Sequence, residues 1–210
     1  MTEGTISPRR RERLEKTVSN RLDKLTIVAE GTHLRHNLSA IIRTAESFGV
    51  STVHLISAGS KKMSGAAKGA ERWVDLVIHN NTEQCFEFLK KLGFKTFVAD
   101  FTEHSFTPEN VPIDDPVAII MGTELVGVSD KARELSDGSI IIPMYGLTQS
   151  LNVSVASACL LQRISTRMRE AGTGSMSTSA QSALLNRWIE REVFEKQQRT
   201  QRGKLAFKPE

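Results

Sequence analysis

The sequence is poor in the features of disulfide-linked, membrane-spanning and secreted proteins. Only two cysteines occur among 210 residues, and no apolar run reaches the ~18 residues of a membrane-spanning helix. The N-terminus also lacks the apolar segment of a signal peptide. Cys85 and Cys159 each lie in an apolar, helix-like context without a partner at metal-ligand spacing. We therefore expect a cytoplasmic protein whose two cysteines are reduced core residues.

Two common nucleotide-binding motifs are also absent. No Gly-x-Gly-x-x-Gly turn follows the first predicted strand, and the segment 59–65 lacks the Gly-Lys-Ser/Thr ending of a phosphate-binding loop. His33 and His36 could face each other on a helix, but no cysteine or carboxylate pattern accompanies them. We expect neither a dinucleotide site of the Rossmann type nor a bound metal.

The net charge of +4 is small, and the surplus lies at the two ends of the chain. Residues 1–24 and 187–210 each carry seven Lys/Arg against four Asp/Glu, whereas the middle is slightly acidic. Either end alone could be a solvated surface helix, but both together favour arms that contact phosphates around a neutral core. The predicted nucleic-acid-binding residues are Arg9, Arg10, Arg11 and Arg13 at the N-terminal end, together with Lys61 and Lys62 in a small, basic loop of the middle.

Hydrophobic patterning predicts an α/β domain with a doubly wound, mostly parallel sheet. Buried apolar runs alternate with amphipathic stretches, which is typical of a parallel sheet covered by helices on both faces. A Gly/Ser-type linker over 172–179 precedes a last helix. The predicted strands are 25–29, 52–56, 74–78, 95–100, 116–121 and 139–142, and the predicted helices are 8–21, 37–48, 82–92, 130–135, 152–171 and 180–198.

Three segments carry polar residues where chemistry can occur. From Ile140 to Ala156, a buried run stops at a proline, a glycine-containing loop follows, and Ser150-Leu151-Asn152 opens a helix with small residues on its first turns. Segment 36–45 places Asn37 and Arg43 near two helical turns apart, and segment 119–129 is a strand running into Gly122-Thr123-Glu124. In chain order, the segments 36–45, 119–129 and 140–156 resemble motifs one, two and three of the SPOUT superfamily of RNA methyltransferases. They are most similar to its SpoU branch, which methylates ribose 2′-hydroxyls, and the resemblance spans residues 25 to 165.

The resemblance implies a fold, a cofactor and an assembly. SPOUT enzymes thread the C-terminal part of the sheet domain into a deep trefoil knot, form homodimers, and bind S-adenosylmethionine mostly through backbone groups of the knot loops. Two of the matching residues, Gly122 and Gly146, could instead be ordinary turn glycines. By position, the predicted cofactor-binding residues are Asp100, Met121, Gly122, Ile142, Met144, Gly146, Leu147 and Leu151.

The resemblance also assigns the catalytic groups. Arg43 matches the family's catalytic arginine; because a guanidinium stays protonated, we favour a clamp on the phosphate and the developing oxyanion over the base proposed for the family. Asn37, Ser150 and Asn152 would organise the ribose or hold Arg43, and Glu124 would orient Arg43 or the substrate. On the residues alone, Arg43 could be a surface ion-pair residue, Glu124 a first-turn acid, and Ser150 and Asn152 helix caps.

The segments that flank the catalytic domain indicate which class of RNA is the predicted substrate. Relatives that modify ribosomal RNA commonly carry a separate N-terminal RNA-binding domain, for which this chain has no room before Asn37. A basic helix within 1–24, a catalytic domain over 25–170, and a linker with a basic helix over 171–210 resemble the enzymes that methylate guanosine 18 of tRNA. Another RNA target, or a catalytically silent RNA-binding module with the same fold, stays open as an alternative.

Overall fold

The computed structural model describes residues 6–31, 35–57, 69–123 and 125–206, which form two compact units. Unit 1 comprises the two ends of the chain, up to Arg21 and from Met176, and unit 2 comprises Leu22–Ser175. In chain order, the elements are α1 (Pro8–Val18), β1 (Leu25–Glu30), α2 (Arg35–Ser47), β2 (Thr52–Ile56), a 3₁₀ turn (Ala70–Arg72), β3 (Asp75–His79), α3 (Thr82–Lys91), β4 (Lys95–Ala99), β5 (Val117–Met121), α4 (Asp130–Leu135), β6 (Gly138–Ile140), α5 (Val153–Glu170) and α6 (Thr178–Ala206).

The sheet of unit 2 has the predicted parallel arrangement. Within the described residues, its six strands are ordered β3-β2-β1-β5-β4-β6, and every neighbouring pair is parallel. The central strands β1 and β5 are buried along their whole length, as their continuous apolar runs predict. β6 is shorter than the predicted strand 139–142, because the Ile141 amide donates to the carbonyl of Phe106 instead of extending a strand.

Helices cover both faces of this sheet. Alternate residues of β1 and β5 enter two different apolar clusters: Ile27 and Ile119 join the one that contains α2 and α5 residues, whereas Val28 and Ile120 join the one with α3 and α4 residues. This alternation follows from the pleat of a strand, which points successive side chains to opposite faces. The predicted doubly wound α/β class is therefore confirmed.

Two predictions outside the sheet need correction. Cys159 is exposed on α5, so only Cys85 is a core cysteine. Within the predicted linker 172–179, the Gly174 carbonyl accepts from the Asp23 amide and Ser175 forms a bridge with Leu22. The last helix begins at Thr178 and extends to Ala206, beyond the predicted 180–198.

Unit 1 is built from α1 and α6. Leu14 and Val18, which lie four positions apart and therefore on one face of α1, are both buried. Arg10 makes two hydrogen bonds to the carboxylate of Glu192, at 3.1 and 2.9 Å. None of the described helices is both long enough and apolar enough to cross a membrane.

Candidate active site

A cavity of about 520 Å³ lies at the carboxyl ends of β4, β5 and β6. Its walls include the residues that directly follow these strands, such as Asp100, Gly122 and Ile141, together with the first turns of α5. Open parallel sheets bind ligands at this edge, and the volume falls within the roughly 300–1,000 Å³ of small-molecule sites. The order of the strands thus places three loops around one ligand-sized space.

The loop after β5 is shaped by a close approach of its own backbone. A Cβ atom on Gly122 would stand 2.1 Å from the carbonyl carbon of Gly127, so no other residue fits there. The backbone amide of Thr123 donates to the carbonyl of Gly127 at 2.9 Å, and the amide of Gly127 donates to the carbonyl of Thr123 at 3.0 Å. At its end, Ser129 donates through its amide and its hydroxyl to the carboxylate of Glu30 at the end of β1. Gly122 therefore serves close packing of the loop.

The loop between β6 and α5 presents its backbone to the cavity. Among the described residues, the amides and carbonyls of residues 142–151 make no hydrogen bond with the protein. Several of these residues, including Ile142, Met144 and Leu151, line the cavity. A Cβ atom on Gly146 would meet no atom within 4 Å, and its φ is not left-handed, so the fold itself does not require glycine there. Backbone groups without protein partners are available to a ligand.

Asp100 is held in a fixed orientation at the rim of the cavity. One carboxylate oxygen accepts from the Phe101 amide at 2.9 Å, and the other accepts from Arg133 Nε at 2.6 Å. Arg133 also donates to Asp130 at 2.8 Å. These hydrogen bonds, chiefly the one to Asp100, raise the pKa of Arg133 above its ordinary value.

The structure brings motif one and motif three together. The Asn152 Nδ2 donates to the Oδ1 of the buried Asn37 at 3.3 Å. The Oδ1 of Asn152 accepts from the amide and hydroxyl of Ser154, at 2.9 and 2.6 Å, and so caps α5. The capping role and the contact between the two motifs therefore coexist in one side chain.

The predicted site residues divide into three groups. Asp100, Met121, Gly122, Ile142, Met144, Ser150, Leu151 and Asn152 line the cavity. Gly146, Leu147, Asn37 and Arg43 do not line it. Asn37 is buried beside Asn152, whereas Arg43 lies on the exposed face of α2 and its guanidinium pairs with no described residue. Glu124, Lys61 and Lys62 lie outside the described residues.

The cavity also contains residues that the sequence did not single out. Phe101, Leu125 and Gln149 line it, and Phe101 and Leu125 are largely exposed. The signal for Phe101 was available, since an aromatic residue just beyond a predicted strand end lies at the ligand-binding edge of the sheet. No local pattern marks Gln149.

The fold and the cavity together define an α/β protein with a ligand-sized space among three loops at the carboxyl ends of its parallel strands. Residues 24–162 match the family described as "SpoU rRNA Methylase family", and the chain belongs to this family. The predicted family membership is thereby confirmed.

Named relatives add detail. The tRNA (guanosine(18)-2'-O)-methyltransferase of Thermus thermophilus is 38% identical over 165 residues, which are 78% of this chain and 85% of the relative. The crystal structure of the A. aeolicus TrmH/SpoU tRNA modifying enzyme matches with a TM-score of 0.78 and 31% identity, over 88% of this chain and 97% of that chain. The SpoU methyltransferase AviRb from Streptomyces viridochromogenes, in complex with the cofactor AdoMet, shares the fold at a TM-score of 0.62 and 20% identity, over 73% and 61% of the two chains.

Proposed function

We propose that this protein transfers a methyl group from S-adenosylmethionine to the 2′-hydroxyl of guanosine 18 in tRNA. The observation that carries the proposal is the cavity formed by the loops after β4, β5 and β6, the last of which offers unpaired backbone along residues 142–151. The T. thermophilus relative that bears this activity in its name supports the choice of substrate.

The residues of the cavity suit this cofactor. Met121, Ile142 and Leu151 form apolar walls for an adenine ring, and the free backbone groups of 142–151 can recognise its polar edge. Asp100 offers a carboxylate at the rim. When bound, S-adenosylmethionine supplies an electrophilic methyl group on a positively charged sulfur.

The chain's own task is to prepare the ribose oxygen. As the bond from oxygen to the methyl carbon forms and the bond from sulfur to carbon breaks, the hydroxyl proton must leave. Arg43 clamps the adjacent phosphate and stabilises the developing negative charge, because a guanidinium is a strong donor and a poor base. The Asn37–Asn152 pair holds the ribose edge in register with the cavity.

We infer that the active unit is a homodimer. Unit 2 exposes large apolar side chains beside the cavity: Leu125 is 96% exposed, Tyr145 97% and Leu147 104%. Large apolar surfaces of this kind are typical of protein interfaces. Since Arg43 lies outside the cavity of its own chain, we propose that it serves the cavity of the partner.

We propose that α1 contributes phosphate contacts. Arg9 and Arg13 are exposed and have no ion pair within the described residues, whereas Arg10 pairs with Glu192 and Arg11 with Glu15. Shape and phosphate contacts dominate the recognition of folded RNA, so unpaired arginines on one helix suit tRNA. The basic end of α6 is proposed to act in the same way.

Family membership also leads us to propose the trefoil knot. The matched segment 24–162 contains all three loops of the cavity. Stretching the chain from its two ends would test this. A knotted chain stops short of the ~3.3–3.6 Å per residue of a fully extended one, and full extension would exclude the knot.

Methyl transfer from labelled S-adenosylmethionine to tRNA, followed by mapping of the labelled nucleotide, tests the proposed function. Incorporation at guanosine 18 is expected. Label at another nucleotide would show that the protein methylates tRNA at a position other than guanosine 18. Tight tRNA binding without any incorporation would identify a silent RNA-binding module.

A further inference from the structure

Three potential metal ligands converge on the α3 side of the sheet, among residues with no role in the proposed reaction. His54 lies on β2, His79 ends β3 and Cys85 lies on α3, and all three are buried. One ligand atom from each residue can be chosen so that the three lie within 4.8 Å of one another. The parallel register pairs His79 with Ile56, two residues beyond His54 in β2, so the fold rather than the sequence spacing brings the imidazoles together.

The two imidazoles already contact each other directly. His54 Nδ1 lies 2.9 Å from His79 Nε2, and the rings are 19° from parallel with centroids 5.2 Å apart. The ring of Phe88 packs at 5.6 and 5.4 Å from the two imidazoles. A hydrogen-bonded histidine pair alone would account for the contact between the rings, but it gives no role to the adjacent thiol of Cys85.

We propose that His54, His79 and Cys85 bind a zinc ion. Zinc prefers imidazole nitrogen and thiolate sulfur at about 2.0–2.3 Å, and three protein ligands leave the fourth tetrahedral position to water. As the bond from zinc to sulfur forms, the thiol proton of Cys85 leaves to solvent. The imidazole that donates in the pair moves its proton to its other ring nitrogen, so each imidazole binds through an unprotonated nitrogen and the hydrogen bond between the rings is exchanged for two bonds to the metal.

The site would act as a structural link. Its three ligands lie on β2, β3 and α3. None of them lines the cavity, which lies at the ends of β4, β5 and β6 on the other side of the sheet's strand order. Zinc binding should therefore raise the stability of unit 2 without a requirement for S-adenosylmethionine or RNA. The proposal is independent of the proposed methyl transfer.

Cobalt titration of the full, untagged, metal-stripped chain tests the site, because tetrahedral Co²⁺ reports thiolate ligation by a charge-transfer band. We expect this band to saturate at one equivalent of cobalt and to disappear when zinc is added. Cys85→Ser should abolish the band, and His79→Gln should weaken binding at least tenfold. Cys159→Ser is the matched control and should bind as the unmodified chain does, since Cys159 is exposed on α5.

Melting curves provide the second readout. Zinc should raise the melting temperature of the unmodified chain and of Cys159→Ser, and leave that of Cys85→Ser unchanged. If Cys85→Ser does not fold, the unmodified chain decides the question. The absence of a thiolate band in the unmodified chain, or its survival in folded Cys85→Ser, would overturn the proposal.

Discussion

At the scale of single residues, Asn152 has two separable contacts. Its Oδ1 caps α5 through Ser154, and its Nδ2 donates to Asn37. Aspartate preserves the capping oxygen and removes the donor, whereas alanine removes both. The two substitutions therefore distinguish support of the helix from support of the site.

We expect Asn152→Asp to unfold at nearly the same urea concentration as the parent and to lose methyl transfer. Asn152→Ala should lose methyl transfer as well, and its free energy of unfolding should fall by about 1 kcal/mol, the usual cost of a lost N-cap. Urea unfolding and single-turnover methylation measure the two effects. Full activity in Asn152→Asp would show that the contact with Asn37 has no part in the reaction.

At the scale of elements, the loops after β5 and β6 use glycine for different reasons. Gly122 is enclosed by backbone atoms of Gly127 and Val128, whereas Gly146 has no neighbour. The first glycine should therefore matter for stability, whereas the second should not.

We expect Gly122→Ala to lower the free energy of unfolding by roughly 1–3 kcal/mol, as overpacked sites do, and to weaken binding of S-adenosylmethionine. Gly146→Ala, the matched control, should leave stability unchanged, because its Cβ meets open space. Calorimetric titration with the cofactor and thermal unfolding check both variants. Equal stability of Gly122→Ala and the parent would contradict the described packing of the loop.

The arginines of α1 give a second prediction at this scale. Replacing Arg9 and Arg13 with alanine should weaken tRNA binding and reduce its salt dependence by about one slope unit for each lost phosphate contact. Arg10→Ala is the control, since its loss breaks the pair with Glu192. Arg10→Ala should lower the stability of unit 1 and leave the salt dependence of tRNA binding nearly unchanged. An unchanged slope in the double variant would exclude α1 from the phosphate contacts.

The elements were easier to predict than the contacts between them. Strands β1, β2 and β5 follow from apolar runs, and α4 from its cap at Ser129, because local patterning determines these features. The meeting of three loops around one cavity was expected only through the family resemblance, since periodicity does not give the order of the strands in the sheet. The cluster of His54, His79 and Cys85 was invisible in the sequence, because strand register brings together residues that are 25 positions apart.

At the level of the assembled protein, Arg43 is proposed to act in the cavity of the partner subunit, because it lies outside the cavity of its own chain. Arg43→Ala should lower the rate of methyl transfer about 10²–10³-fold, as loss of an oxyanion-stabilising donor does, with unchanged affinity for S-adenosylmethionine.

Ile142→Trp should fill the cavity and abolish cofactor binding. If Arg43 serves the partner's cavity, co-refolding the two inactive variants should restore activity in the mixed dimer. Mixed dimers that form but stay inactive would place Arg43 in the site of its own chain.

We propose that the ribose hydroxyl of one tRNA nucleotide receives the methyl group held by the loops of unit 2. The most direct measurement compares two otherwise identical tRNAs, one with guanosine and one with 2′-deoxyguanosine at position 18. We predict stoichiometric methylation of the first tRNA and none of the second, with similar binding of both. Methylation of the deoxy-substituted tRNA to the same extent would contradict the account.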